Sequence, residues 1–397
     1  MKKRNIWLTV GLMAGCVWTS CTTEPSVAEN EFLIEGTLEN VADGEVLYLC
    51  RVEDGALIKV ARDTLEQGHF SFRDTISHTR LYNLYGISDH FAPTWADVWL
   101  APGKKVTVTG EDPYLRTWKV ESDIQEQKDQ NILLEAVRAE WKEKGRNTVE
   151  QNKWYRLGQE AKNDSIRQMA RMKLDSLKME EEKIEETMTP KELAALKEMP
   201  IGRVWFNEYI HYAHSLAFDP NSPYVDEIKA LYNRLSESEK QTPEGKKLGR
   251  YMNLPKAVQV GDAMADADLY DVNGEVHHLA ELKGKSILLD FWFVGCGACI
   301  MSEPELKAVA ERYKEQLSVV SICISPEAVW KKYVLERSLE GNQWNDLLEY
   351  AGLAAAYQIQ SYPTYILISP EGMIEEIWNG YSEGALKKKM EKLFKGK

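Results

Sequence analysis

The apolar positions of this chain change their spacing several times, and each spacing predicts a different kind of element. Ile6 to Gly15 is an uncharged, mostly apolar run behind the basic start Lys2-Lys3-Arg4. From about residue 31 to residue 120, apolar and polar positions alternate: Phe70 and Phe72 have polar neighbours, and Val106 and Val108 are interleaved with Thr107 and Thr109. A period of two predicts strands. The breaks at Asp43-Gly44, Asp54-Gly55, Gly68 and Pro102-Gly103 read as turns, so residues 31–120 are expected to form an antiparallel β domain. Between residues 122 and 253 the spacing becomes helical, as in Ile166, Met169, Ala170, Leu174 and Leu177. Ser122 with Gln125 predicts a capping box, and Thr189-Pro190-Lys191-Glu192 predicts a second with proline at the first helical position. The last segment, 255–397, mixes both periods. Asn273-Gly274 between short apolar stretches predicts a hairpin with a tight primed turn. Ser286 to Phe293 is a nearly continuous apolar run, expected as a central strand buried on both faces. Asp290 interrupts it, and a carboxylate there is either neutral or functional, because burying its charge is costly.

The opening run is too short to span a bilayer as a permanent helix and reads as the core of a bacterial signal peptide, with residues 1–21 as signal segment and anchor. Leu12-Met13-Ala14-Gly15-Cys16 resembles a lipobox, in which the cysteine is acylated and becomes the mature N-terminus. Thr19-Ser20-Cys21 is the alternative, with bulky Trp18 where an aliphatic residue is usual. An acyl chain predicts a soluble body held to a membrane outside the cytoplasm. Residues 22–30 read as a tether.

Charge and composition narrow the partners. The net charge is -13, and removal of residues 1–15 takes away Lys2, Lys3 and Arg4 and no acid, leaving -16. So acidic a chain argues against a nucleic-acid partner. Six cysteines in 397 residues are too few for a disulfide scaffold. Cys50 and Cys323 lie in apolar stretches and are expected to be packed strand residues. The run Glu180 to Glu186 reads as a solvated helix face, and Met169, Met172 and Met179 as packing. His211 and His214 lie three apart without a third ligand nearby, so no metal is expected there.

The concentrated chemistry is Cys296-Gly297-Ala298-Cys299, directly after the apolar strand and ahead of a helix-like stretch. A cysteine at a helix start faces unpaired N–H groups and the positive end of the helix dipole, which favour its thiolate. A second cysteine one turn on can close a disulfide with it. A zinc site needs four ligands and finds no second Cys-x-x-Cys; His277 and His278 do not obviously complete one. A purely structural bridge closing so short a loop removes little chain entropy. A peroxidatic cysteine would have threonine three positions earlier, where Phe293 stands.

Residues 255–397 resemble the TlpA-like and ResA-like thioredoxin-fold thiol–disulfide oxidoreductases. The likeness rests on Val260-Gly261-Asp262, Leu282-Lys283-Gly284-Lys285, Asp290-Phe291-Trp292, the Cys296–Cys299 motif, Pro304, Tyr362-Pro363-Thr364 and Pro370-Glu371-Gly372. The preceding β segment resembles the module of unknown function that precedes such domains in many bacterial lipoproteins. The expected fold is therefore multidomain: an antiparallel β domain, a helical region and an α/β thioredoxin fold. By this resemblance Cys296 is the exposed attacking thiol and Cys299 the resolving one. Asp290 exchanges the Cys299 proton, Pro363 is a cis-proline, and Tyr362 offers backbone hydrogen bonds to substrate. Three positions depart from the family pattern: Gly295 where tryptophan is usual, Ala298 where proline is usual, and Ser302 where glutamate is frequent, with Glu303 beside it.

The expected activity is exchange through a mixed disulfide, reducing substrate proteins, with a redox-active disulfide and no other cofactor. The expected partners are proteins bearing disulfides or dithiols, a membrane redox partner that recharges the pair, and the membrane itself. The competing expectation is a binding or scaffold lipoprotein whose thioredoxin domain is inactive or secondary.

Overall fold

A computed structural model describes residues 27–53, 56–86, 91 and 94–394. The first part contains β1 (Glu31–Leu38), β2 (Val46–Glu53), β3 (Ala56–Thr64), β4 (His69–Thr75), β5 (Arg80–Gly86), β6 (Trp95–Leu100), β7 (Lys104–Gly110) and β8 (Lys119–Glu121). They form two four-stranded sheets, ordered β4-β1-β7-β8 and β3-β2-β5-β6. Phe70, Phe72, Val106 and Val108 are buried, as their alternation requires. Every pairing in these sheets is antiparallel except one: β1 and β7 run parallel, with Ile34 opposite Val106. A parallel pair needs a long crossover, here supplied by β2 to β6, so local alternation could not announce it.

The middle part is helical: α1 (Gln125–Ala136), α2 (Arg138–Glu160), α3 (Asp164–Glu198), α4 (Arg203–Ser215), α5 (Val225–Tyr232), α6 (Glu237–Lys240) and α7 (Pro243–Met252). Neither predicted capping box forms. Ser122 Oγ accepts from Ile124 N at 3.0 Å in the turn ahead of α1, whose N-cap is Ile124. Pro190 lies inside α3 instead of starting a helix. An interior proline costs about 3 kcal/mol, and contacts beyond it hold the helix together. Leu193 and Leu196 are buried, Glu192 accepts from Tyr212 Oη, and Leu196 O accepts from Trp205 Nε1 at 2.9 Å. The acidic stretch of α3 is not wholly solvated: Lys144 of α2 pairs with Glu181 and Glu185. One hydrophobic core runs from the sheets through Leu133, Trp205, Tyr209 and Tyr251, so the β and helical parts pack as one body.

The last part contains β9 (Leu269–Tyr270), β10 (Val276–His277), β11 (Ser286–Trp292), α8 (Gly297–Arg312), β12 (Leu317–Cys323), α9 (Glu327–Arg337), β13 (Asn342–Trp344), α10 (Leu353–Ala356), β14 (Thr364–Ile368), β15 (Ile374–Asn379) and α11 (Ala385–Phe394). Five strands form one sheet in the order β13-β12-β11-β14-β15, with β12 parallel and β14 antiparallel to β11. All of β11 is buried. Ile287, Leu289 and Phe291 fill the core on one face, and Leu288 fills it on the other. The β9–β10 hairpin is not closed by a two-residue primed turn. Asp271 N bonds Glu275 O at 3.0 Å around a three-residue loop, and Asp271 Oδ1 accepts from Asn273 N and Glu275 N. Gly274, at φ +87°, takes the left-handed position that such a loop needs. No helix among the described residues is long and apolar enough to cross a membrane.

Candidate active site: a cysteine pair at a strand-to-helix turn

β11, the central strand of its sheet, delivers the chain to a turn at the strand's C-terminal end, and the turn ends on Cys296, the N-cap of α8. Cys296 N donates to Phe293 O at 3.2 Å, and Val294 N donates to Ser325 Oγ at 2.9 Å. Between them Gly295 has φ +99°. A side chain finds open space there but a backbone conformation that L-residues avoid. The absence of tryptophan at Gly295 thus goes with a local backbone that favours glycine.

Cys296 and Cys299 form a disulfide, S–S 2.04 Å, with Cα atoms 5.3 Å apart. Cys299 N donates to Cys296 Sγ at 3.1 Å, and Ile300 N donates to Cys296 O at 3.0 Å. In the reduced protein that same N–H stabilises negative charge on the Cys296 sulfur, and the dipole of the 16-residue α8 acts in the same sense. The expectation of an exposed Cys296 is not met in this oxidised form: Cys296 is 6% exposed and Cys299 7%. What distinguishes them is their place on the helix, because both lie in an apolar cluster with Trp292, Cys323 and Trp330. Ser302, fully buried, donates its hydroxyl to Cys299 O at 2.8 Å, so the helix's own backbone uses the position where the family often has glutamate.

Asp290 is 4% exposed on the same strand. Burial pushes its carboxyl up to about 7, against a smaller lowering by the Ser321 hydroxyl, which donates to Oδ2 at 3.3 Å. Asp290 and Cys299 line one cavity of about 340 Å³, together with Trp292, Ser321, Glu303 and Gln343. The Tyr362–Pro363 peptide is cis, and Pro363 O accepts from Gly380 N at 2.8 Å. The Tyr362 ring packs on the cysteine cluster and edge-on to Phe293, centroids 5.2 Å apart. Four of the sequence-marked residues, Asp290, Cys296, Cys299 and Tyr362, thus converge around α8, and Pro363 follows Tyr362. Cys16 and Cys21 lie outside the described residues.

Cys323 is a free thiol buried in the same cluster as the pair, and burial pushes it up to about 12. The other marked groups stand apart: Cys50 is a buried free thiol of β2. His214 packs among Phe218, Tyr251 and Tyr350, and burial lowers it to about 4. Asp271, Glu275 and His277 bring ligand-capable atoms within 4.8 Å of one another in the partly exposed hairpin turn.

Two features were not anticipated from sequence. One is the cavity, whose linear signals are Asp290 within the apolar run 286–293 and Ser321 within the apolar Val319–Ile324 stretch. The other is contact between the helical part and the loops around the site. Lys247 pairs with Glu349 at 2.8 Å, Tyr350 lies 4.2 Å from His214, and Gln360 Nε2 donates to Phe218 O at 3.4 Å. No local pattern encodes such contacts between segments a hundred residues apart.

The Redoxin family matches residues 259–393. The thioredoxin-like protein YneN of Bacillus subtilis is 29% identical over 131 residues, which are 33% of this chain and 77% of that protein. The thiol-disulfide oxidoreductase ResA of Oceanobacillus iheyensis is 30% identical over 131 residues, 32% of this chain and 67% of the relative. The crystal structure of the thioredoxin domain of a thiol-disulfide oxidoreductase from Bacteroides vulgatus, 28% identical, covers 34% of this chain and 99% of its own, with a TM-score of 0.29. Through the last third of its length, where Cys296 caps the helix that carries Cys299, the chain belongs to the ResA-like, thioredoxin-fold thiol–disulfide oxidoreductases.

Proposed function

We propose that this oxidoreductase works outside the cytoplasm, tethered to a membrane through an acylated Cys16, with Cys21 as the alternative anchor, and that it reduces disulfides in substrate proteins. The Cys296 thiolate attacks the substrate disulfide and releases one substrate thiolate, which takes a proton from solvent. Asp290 accepts the Cys299 proton, and the Cys299 thiolate attacks the Cys296 sulfur of the mixed disulfide. That step forms the Cys296–Cys299 bridge and frees the second substrate thiol. Tyr362 and Pro363 hold the substrate chain against the pair. The disulfide is the sole redox group, and a membrane partner donates the two electrons that reopen it.

The observation that carries this reading is the Cys299 N–H directed at Cys296 Sγ, 3.1 Å away, at the start of α8. It favours thiolate on the first cysteine, while Asp290, raised to about 7, is poised to exchange a proton near neutral pH. The basic start and apolar run of the sequence support the exported location. Redox titration against glutathione, with the two states separated by thiol labelling, tests it. The expected potential falls toward the lower end of about -180 to -300 mV, as in reducing exchange catalysts. A bridge that stays closed well below that range contradicts the reading.

A further inference from the structure

α2 and α3 pair as a helical arm, in which Asn147 Nδ2 of the first helix donates to Leu177 O of the second at 3.0 Å. Ala170 and Leu177 are the buried residues on α3's inner side here. From residue 148 to residue 169 nothing is buried, so the end of the arm has no core of its own. The outer side of α3 carries a second apolar stripe. Met169, Met172 and Met179 are 50%, 66% and 60% exposed, and with Ser176 they are spaced three, four and three residues apart. At 3.6 residues per turn this stripe lies nearly opposite Ala170 and Leu177, and its spacing is that of a coiled-coil seam. Gln168, Lys173 and Ser176 stand around Met169 and Met172 at an open hollow on this face. The sequence reads these methionines as packing, yet a single chain leaves them in water, and methionine-rich exposed faces mark interaction surfaces.

We propose that a second copy of this chain covers the stripe, with the two α3 helices antiparallel. Two observations select this occupant. The first is charge. Residues 164–178 hold Arg167, Arg171, Lys173 and Lys178 against Asp164 and Asp175, a net +2. Residues 179–186 hold Glu180, Glu181, Glu182, Glu185 and Glu186 against Lys183, a net -4. A partner must present the reverse gradient, and α3 itself, turned round, does so. Packed helices lie about 8–10 Å apart, within the reach of charge at physiological salt. An anionic lipid surface would repel the acidic half. The second observation is size. In the antiparallel register that sets Met169 against Met179 of the second copy, Met172 meets Ser176, large against small. A parallel pair sets serine against serine and leaves a gap that packing does not tolerate. None of these residues lies at the cysteine pair, and self-pairing does not depend on the exchange reaction.

The test is sedimentation equilibrium on the full chain, in a detergent density-matched to the buffer so that bound detergent does not register. The parent should pass from monomer to dimer as its concentration rises. Met172→Glu sets a charge into the middle of the seam from both copies and should raise the dissociation constant by about tenfold or more. Two charge variants supply an arm that helix damage cannot imitate. Glu180, Glu182 and Glu186 all replaced by lysine make both halves of α3 basic, and Arg167, Arg171 and Lys173 all replaced by glutamate make both halves acidic. Neither variant should pair with itself, and an equimolar mixture of the two should form dimers. A parent that stays monomeric overturns the proposal, even where it binds lipid vesicles or a helix of another protein. A dimer that survives Met172→Glu unchanged, or a mixture that fails to pair, overturns it as well.

Discussion

Replacing Asp290 by asparagine should make the oxidised protein more stable, by an amount that grows with pH. The carboxyl ionises near 3.8 when solvated and near 7 in the fold, because burial between β11 and α8 removes it from water and only Ser321 compensates. The sign follows from proton counting. Below 3.8 the group is protonated in both states and costs nothing. Between 3.8 and about 7 the unfolded chain has lost the proton and the folded one retains it, so stability falls as pH rises. Above that the penalty is constant. At ~1.36 kcal/mol per pH unit the full penalty is about 4 kcal/mol, and about 3 kcal/mol of it accumulates between about pH 5 and the folded midpoint. The asparagine variant carries no such term. The stability difference between variant and parent, from urea unfolding followed by tryptophan fluorescence, should therefore widen by about 3 kcal/mol between about pH 5 and about pH 8. Comparing differences cancels the fixed effect of swapping oxygen for an amide. A difference that stays flat across this range would refute the reasoning, because it would mean that Asp290 titrates as an ordinary solvated carboxylate.

Further outcomes follow from the same geometry. Ser321→Ala removes the one hydrogen bond that lowers the Asp290 carboxyl, so the pH at which the parent's stability levels off should move upward in the same unfolding series. Gly295→Ala should destabilise the protein by about 1–3 kcal/mol, measured by denaturant midpoint, because φ is +99° there although space is free. In the reduced protein, timed iodoacetamide labelling with peptide mapping should modify Cys296 well before Cys323, whose thiol is raised to about 12 by burial. Cys16→Ser should release the protein from the membrane fraction or stall its maturation; release by Cys21→Ser instead moves the anchor five residues.

What the sequence made legible is local or strongly patterned. The apolar run 286–293, bounded by turn residues, could only be a strand buried on both faces, and β11 is that strand. A Cys-x-x-Cys motif after such a strand has a helix start as its natural place, and Cys296 is the N-cap of α8. Alternation placed Phe70, Phe72, Val106 and Val108 inward. Apart from the local hairpin loop at Asp271–Glu275 and the turn at Ser122, the misjudged features depend on partners distant in sequence. Thr189-Pro190 has the composition of a helix start, yet packing by Leu193, Leu196 and Trp205 carries α3 through the proline. The parallel β1–β7 pair, the core shared by sheets and helices, and the grip of Lys247 on Glu349 arise from topology that periodicity does not encode. Exposure of Cys296 was inferred from its role, but the closed disulfide sits inside an apolar cluster. The cavity is assembled from β11, α8, β12 and the residues around β13, so no single stretch of sequence announces it.

The central claim is that Cys296 attacks and Cys299 resolves. Its most direct measurement is trapping by the two single variants, each offered the same disulfide-bearing substrate protein and analysed on non-reducing gels with peptide mapping. The account predicts that Cys299→Ser accumulates a stable mixed disulfide through Cys296, and that Cys296→Ser accumulates little, because Cys299 lies a turn inside α8 without the helix-start stabilisation of its thiolate. No adduct with Cys299→Ser, or equal adducts with both variants, would contradict it.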